Sequence, residues 1–241
     1  MNSVFISGLV RGDVVSVPAK SKDGEAKQPG VIRIVTIQDN KQNSKDFKIF
    51  APAGDVADRL KNIASGKRLI LDGRISSEEI EGVYQGVVSL KKVIALVDSM
   101  AGADYAYGTV GGVGTCDQIR YTQSGTAIAN LNIKSVRTFK GRDGKDITTT
   151  SFLNAVAWGD KAQILEPYIP MTEVPVSVSG ILVPSEYDST KHPGVKVSKV
   201  EIWADDMIVG SGTGVSTPSN PPAPRAERPA PKRKVSDDTE F

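Results

Sequence analysis

Two stretches of this chain carry the same message. Residues 47–60 read FKIFAPAGDVADRL and residues 152–165 read FLNAVAWGDKAQIL. Phe47 pairs with Phe152, Gly54 with Gly159, Asp55 with Asp160, Ala57 with Ala162 and Leu60 with Leu165, all at one offset of 105 residues. In each copy a run of strand formers meets a glycine, then an aspartate suited to capping a helix, then apolar residues at helical spacing. In the second copy that apolar stripe is Ala162, Leu165 and Ile169. Five matches with one structural meaning point to a duplicated domain. Whatever one half folds into, the other half folds into again.

The flanking patterns say what that unit is. In the first half, strands are expected over 2–17, 31–37 and 45–51, with a polar loop over 21–30 and a hairpin tip over 39–44. A helix is expected over 55–64, closed by Gly66, followed by strands over 67–75 and 86–97. After a joint at 101–104 the order repeats. Strands are expected over 107–114, 127–139 and 150–158, with a hairpin tip at 140–145 and a helix that Pro167 ends or kinks. Two further strands follow over 174–183 and 196–209. Three strands, a helix and two strands is the order of an OB-fold, a five-stranded Greek-key barrel. The expected fold class is therefore all-β: two tandem OB-folds with one helix each, over 1–100 and 105–210. From 211 onward the chain is Gly, Ser, Pro, Ala and Arg/Lys with almost nothing to bury, so 211–241 reads as a disordered linker with an acidic tip.

Chemistry is scarce in the 241 residues. There is one histidine and one cysteine, so no internal disulfide can form and a reducing compartment is expected. His192 sits beside Pro193 in a loop, and no Cys/His cluster has zinc spacing. Asp205 and Asp206 are neighbours in an expected strand and point to opposite faces. The glycines between 108 and 114 are followed by no helix and read as a bent barrel strand rather than a phosphate loop. The expectation is no catalytic residue, no metal and no cofactor. No signal peptide or membrane span is read, which implies a cytoplasmic protein. A net charge of +2 leaves nucleic-acid binding to local grooves rather than to bulk charge.

Binding residues are better represented. Phe139, Phe152, Trp158 and Tyr187 fall beside groove-forming segments of the second copy. Phe152 and Trp158, at even spacing, share a strand face, and Tyr187 is read in the loop after the fourth strand. Lys134, Arg137, Lys140, Arg142 and Lys145 surround the hairpin, and Lys161 starts the helix. Rings that stack bases beside cations that track phosphates suit a single strand held without sequence readout. In the first copy Phe47 survives, with Lys48, Phe50 and Tyr84 nearby, but Ala53 stands where the repeat has Trp158 and Ile80 where it has Tyr187.

Residues 119–133, IRYTQSGTAIANLNI, the segment AVAWGDKAQIL, and Gly180 leading to Tyr187 resemble the bacterial single-stranded DNA-binding proteins in order and spacing, here in a version with two OB-folds per chain. The resemblance covers about residues 107–210 and extends to the tail, although SDDTEF lacks the family's usual proline before the terminal Phe. It implies that Phe139, Phe152, Trp158 and Tyr187 occupy base-stacking positions. It also implies that Asp237, Asp238, Glu240 and Phe241 recruit replication and repair enzymes. The resulting expectation is a non-enzymatic protein, nucleoid-associated, that binds and protects single-stranded DNA in replication, recombination and repair. It would act as a homodimer of four barrels, with the second copy dominating DNA binding and open strand edges of the first building the assembly. The competing reading is an OB-fold adaptor of a replication or recombination complex with little DNA affinity of its own. The four aromatics and the basic hairpin argue against it.

Overall fold

The computed structural model describes residues 1–17, 30–38, 43–80, 82–97, 104–141 and 144–210. Arg142 and the tip residues Asp237, Asp238, Glu240 and Phe241 lie outside them, as does the whole linker. The first half runs β1 (Asn2–Val17), β2 (Gly30–Gln38), β3 (Ser44–Ala51), α1 (Asp55–Lys61), β4 (Arg68–Ile80) and β5 (Val83–Val97). The second runs β6 (Tyr105–Cys116), β7 (Ile119–Tyr121), β8 (Ala127–Lys140), β9 (Asp146–Trp158), α2 (Asp160–Gln163), β10 (Met171–Asp188) and β11 (Lys196–Val209). The three-residue β7, which pairs with β8, is an element that sequence reading missed.

Each half closes into a barrel of five strands. In the first, β1 pairs with β4 on one side and β2 on the other, β2 with β3, β4 with β5, and a short parallel contact joins β3 to β5. In the second, β6 pairs with β10 and β8, β8 with β9, β10 with β11, and β9 with β11 in parallel. These are the two expected OB-folds. One strand can serve two partners because it bends: the β1–β2 register shifts between Arg11 and Val15, and Gly12 takes φ +63° there. Period-2 alternation fills the interiors, with Phe47, Ile49, Leu69 and Leu71 buried in one barrel and Leu131, Ile133, Leu153 and Leu182 in the other.

The helices are shorter than the pattern suggested. α1 ends at Lys61 with Asn62 as its cap, three residues before the expected end. α2 spans four residues and gives way to a 3₁₀ turn, Glu166–Tyr168, that holds Pro167. Asp55 and Asp160 do not cap. Gly54 and Gly159 take the cap positions, at φ +119° and +56°, and neither helix has a side-chain cap bond. The aspartates open the first turn, where a carboxylate favours the helix dipole. The duplicated apolar pairs do what their spacing implied: Ala57, Leu60, Ala162 and Leu165 are all buried.

The two barrels are not merely tethered. β1 and β6, the equivalent first strands, pair antiparallel from Asn2↔Val110 to Ser7↔Tyr105, so the eleven strands among the described residues form one sheet. The two first strands thus cover each other's open side within the chain. A second seam joins the β4–β5 hairpin of the first barrel to β11. Gln85 is buried and donates from Nε2 to Lys196 O at 3.1 Å. Its Oε1 accepts the Ser198 N–H at 2.8 Å and lies 2.9 Å from Ser198 Oγ. The backbones come so close that a Cβ at Gly86 would stand 2.9 Å from Ser198 O. Gln85→Ala takes away the side chain that satisfies the Ser198 N–H and the Lys196 carbonyl of the second barrel. It should cost about 1–3 kcal/mol of unfolding free energy, measured by urea denaturation of the full chain.

Candidate nucleic-acid interface

The β8–β9 ribbon and the neighbouring β11 carry most of the residues singled out in the second barrel. Lys134 and Phe152 are register partners across the ribbon, so they share a pleat. Phe152 is 75% exposed; it is a surface ring, not a core one. Trp158 stands on the same pleat of β9, six residues or about 20 Å along the strand. Its ring meets Trp203 of β11, with centroids 5.8 Å apart and planes at 54°. Trp203 is 40% exposed and was not among the expected site residues. Strand alternation puts Trp203 on the face opposite the buried Ile202, but only the contact with Trp158 marks it as part of this surface.

Phe139 and Arg137 occupy the opposite pleat from Lys134 and Phe152. The Arg137 guanidinium lies 5.0 Å over the Phe139 ring, a cation–π contact that covers one ring face. Lys140 pairs with Asp146 at 2.9 Å, both well exposed, an ion pair weak enough for a phosphate to displace. Lys161 is half-buried on α2. Tyr187 is not in a loop. β10 continues to Asp188, and Tyr187 pairs there with Val197, half-exposed on the same pleat as Ile181.

The first-barrel candidates fare differently, and one extra residue explains why. Phe47 is fully buried, so the expectation that it survives as a stacking residue is wrong. Its cross-strand partner is Val35, while the corresponding pair in the second barrel is Ile133↔Leu153. Phe47 therefore matches Leu153, not Phe152. Between the last core residue of the strand and the helix-capping glycine, the first copy has Pro52 and Ala53 where the second has Trp158 alone. That extra residue flips every strand side chain relative to the sequence offset. Asp46 stands where Phe152 stands. Phe50 is half-buried, its ring lying over Gly30, where a Cβ would approach it to 2.6 Å. Lys48 is committed to Glu186 of the second barrel at 3.2 Å and to Gln85 Oε1 at 3.4 Å.

Beyond these residues, a row of exposed apolar side chains crosses the shared sheet. Phe5, Tyr107, Ile181 and Trp203 are successive register partners on β1, β6, β10 and β11, and each is at least 40% exposed. No group of three or more His, Cys, Asp or Glu that could hold a metal ion occurs among the described residues. Cys116 is buried, and that burial raises its thiol pKa. Among the described residues no helix is long and apolar enough to cross a membrane.

Residues 108–209 match the model of the Single-strand binding protein family. That match spans nearly the whole of the second barrel and none of the first. Two solved structures resemble the whole two-barrel arrangement. Wild-type single-stranded DNA binding protein from Thermus aquaticus is 16% identical, with a TM-score of 0.63 over 89% of this chain and 95% of that one. A deletion mutant of the same Thermus aquaticus protein is 15% identical, with a TM-score of 0.61 over 88% and 95%. The resemblance to bacterial single-stranded DNA-binding proteins in their two-OB-fold form therefore stands on the family barrel and on the shared fold.

The shifted parity makes two phenylalanines at equivalent sequence positions behave oppositely. Phe47→Ala should destabilise the chain by about 3–5 kcal/mol, the cost of emptying a buried ring site. Phe152→Ala should fall within about 0.5 kcal/mol, as exposed substitutions do. Urea unfolding of both variants checks this, and equal losses would refute the assigned register.

Proposed function

We propose that this protein binds single-stranded DNA without sequence readout, chiefly through its second barrel, and protects it during replication, recombination and repair. The observation that carries the reading is the surface of the family barrel. There Phe152, Trp158 and Trp203 are exposed on β9 and β11, with Lys134 beside Phe152 and Arg137, Phe139, Lys140 and Tyr187 on the projecting ribbons. Rings on strand faces offer a π-surface to any base, and the interleaved cations suit a phosphate backbone. Nothing in this arrangement needs a catalytic group or cofactor, so the role is one of binding. Arg142 and Lys161 belong to the same reading as flanking cations.

Assembly follows from the same surfaces. The β1 and β6 edges are satisfied within the chain, so a second copy has faces rather than edges to use. The apolar residues Phe5, Tyr107 and Ile181 of the shared sheet are the natural contact, sheet on sheet, giving a homodimer of four barrels. The tip residues Asp237, Asp238, Glu240 and Phe241 would recruit replication and repair enzymes. An anionic end with a terminal ring fits a pocket with a basic rim and an apolar floor, and the family resemblance supports the reading. A cytoplasmic, nucleoid-associated location accords with such a role.

Fluorescence titration with oligothymidine tests the central claim. Trp158→Ala should cost about 1–3 kcal/mol of binding, the range for one stacked base. The affinity should fall with salt at a log–log slope of about −0.7 per phosphate neutralised. A chain that shows no saturable binding at low salt would leave the adaptor role as the better account. Deleting residues 237–241 should leave oligothymidine affinity unchanged or slightly higher while abolishing co-purification of replication and repair enzymes. Retention of the same partners by the truncated chain would reduce the tip to a solubilising end.

A further inference from the structure

The pseudo-symmetric seam between the barrels creates two related grooves. In each, the ribbon of one barrel faces the β4–β5-type hairpin of the other. One groove lies between β9 and the first barrel's β4–β5 hairpin and is lined by Arg74, Glu78, Tyr84, Thr149 and Phe152. It adjoins a hollow in which Arg74 recurs beside Lys91, Arg137 and Ser135. The other groove lies between β3 and the β10–β11 hairpin and is lined by Asp46, Lys48, Glu186 and Lys199.

Pseudo-symmetry would make these two grooves equal, and the side chains make them unequal. In the first, Phe152 and Tyr84 are 75% and 64% exposed, two rings contributed by different barrels. Arg74, Lys91 and Arg137 bring positive charge, against the carboxylates of Glu78 and of Asp72, which pairs with Lys91 at 3.5 Å. Burial raises the Glu78 pKa, while a hydrogen bond from Ser76 and the charge of Arg74 pull it down, so that groove holds its one lining carboxylate at some cost. In the second groove, Asp46 occupies the place of Phe152 and no aromatic side chain is among the lining residues. Of its three lining lysines, Lys45, Lys48 and Lys199, Lys48 pairs with Glu186 at 3.2 Å and Lys199 with Glu201 at 2.6 Å. The Asp46 carboxylate accepts the Thr36 hydroxyl at 2.6 Å.

We propose that the first barrel, although it lacks stacking residues of its own at the repeated positions, completes the single-strand site of the second. Tyr84 stacks a base on the wall opposite Phe152, and Arg74 and Lys91 hold the adjoining phosphates, while the groove bridged by Lys48 and Glu186 takes no strand. The single-strand site is then a composite of both barrels and there is one per chain. This inference rests on the single-stranded DNA reading above and adds to it the residues of the other half.

The test is oligothymidine titration of the full chain carrying Tyr84→Ala, Arg74→Ala or Lys199→Ala, with thermal unfolding of each variant run alongside. Tyr84→Ala removes an exposed ring and should weaken binding about five-fold or more, as loss of one stacked base does. Tyr84→Phe, which keeps the π-face, should restore it. Arg74→Ala should reduce the magnitude of the log–log salt slope by about 0.7, and Lys199→Ala in the bridged groove should leave it unchanged. If the parent chain binds and Trp158→Ala weakens it, but Tyr84→Ala binds like the parent, the composite site is overturned and the single-strand reading survives. If the parent chain does not bind oligothymidine at all, both fall.

Discussion

Most of this structure depends on the antiparallel pairing of β1 with β6. Each is the first strand of its barrel, and each would otherwise present an unpaired row of N–H and C=O groups. By meeting across Asn2↔Val110 to Ser7↔Tyr105, they remove both edges at once and fuse two barrels into one sheet. The consequence is rotational: the equivalent strands run antiparallel, so the barrels are related by an approximate two-fold. That relation carries the β4–β5 hairpin of one barrel toward the β8–β9 ribbon of the other, and the reverse. The seam of Gln85, Ser198 and Gly86 and the unequal grooves are both products of it.

The close approach at the seam also explains where polar groups are tolerated inside. Gln85 and Ser198 are buried, but they satisfy one another and the Lys196 carbonyl. Arg68, buried at the root of β4, reaches the Asp104 carboxylate, and the other Asp104 oxygen accepts the Gln38 N–H at 2.7 Å. Asp104 directly precedes β6, so this ion pair ties the start of the second half to the wall of the first barrel. Breaking one member would leave a buried charge without its partner, which costs more than the pair itself contributes.

Period and repetition made the architecture legible. The 105-residue offset named the duplication, alternation named the strands, and the buried Ala57, Leu60, Ala162 and Leu165 are the stripe that helical spacing implied. Three features were not legible, each for a physical reason. A ruler of constant offset cannot see the extra residue before Gly54, and in a structure of period 2 that one residue exchanges inside for outside, as Phe47 and Phe152 show. The reach of β10 to Tyr187 was hidden because Pro184 and Ser185 read as turn residues, whereas on a two-stranded ribbon a proline can sit where no ladder donor is needed. Trp203 became significant only through Trp158, since its importance lies in a ring contact between strands far apart in the chain.

Fusing two copies in one chain also changes what each copy must keep. A symmetric pair of identical barrels has two identical grooves, so any residue useful in one is imposed on both. A covalent pair is released from that constraint. Here Asp46 stands at the position that Phe152 holds in the second barrel, and Lys48 bridges to Glu186. Both features would damage a strand-binding groove if they recurred in the second barrel. The same freedom lets Arg74 stand at a position whose counterpart in the second barrel is Ile181, by the alignment of Gly73 with Gly180. Ile181 lies in the apolar row beside Tyr107 and Trp203, where a guanidinium would interrupt an aromatic surface. Arg74 lines the open groove, where an isoleucine would offer nothing to a phosphate. One pair of equivalent positions thus serves two different surfaces, an apolar face and a cationic groove, and only a chain whose halves are free to differ can supply both.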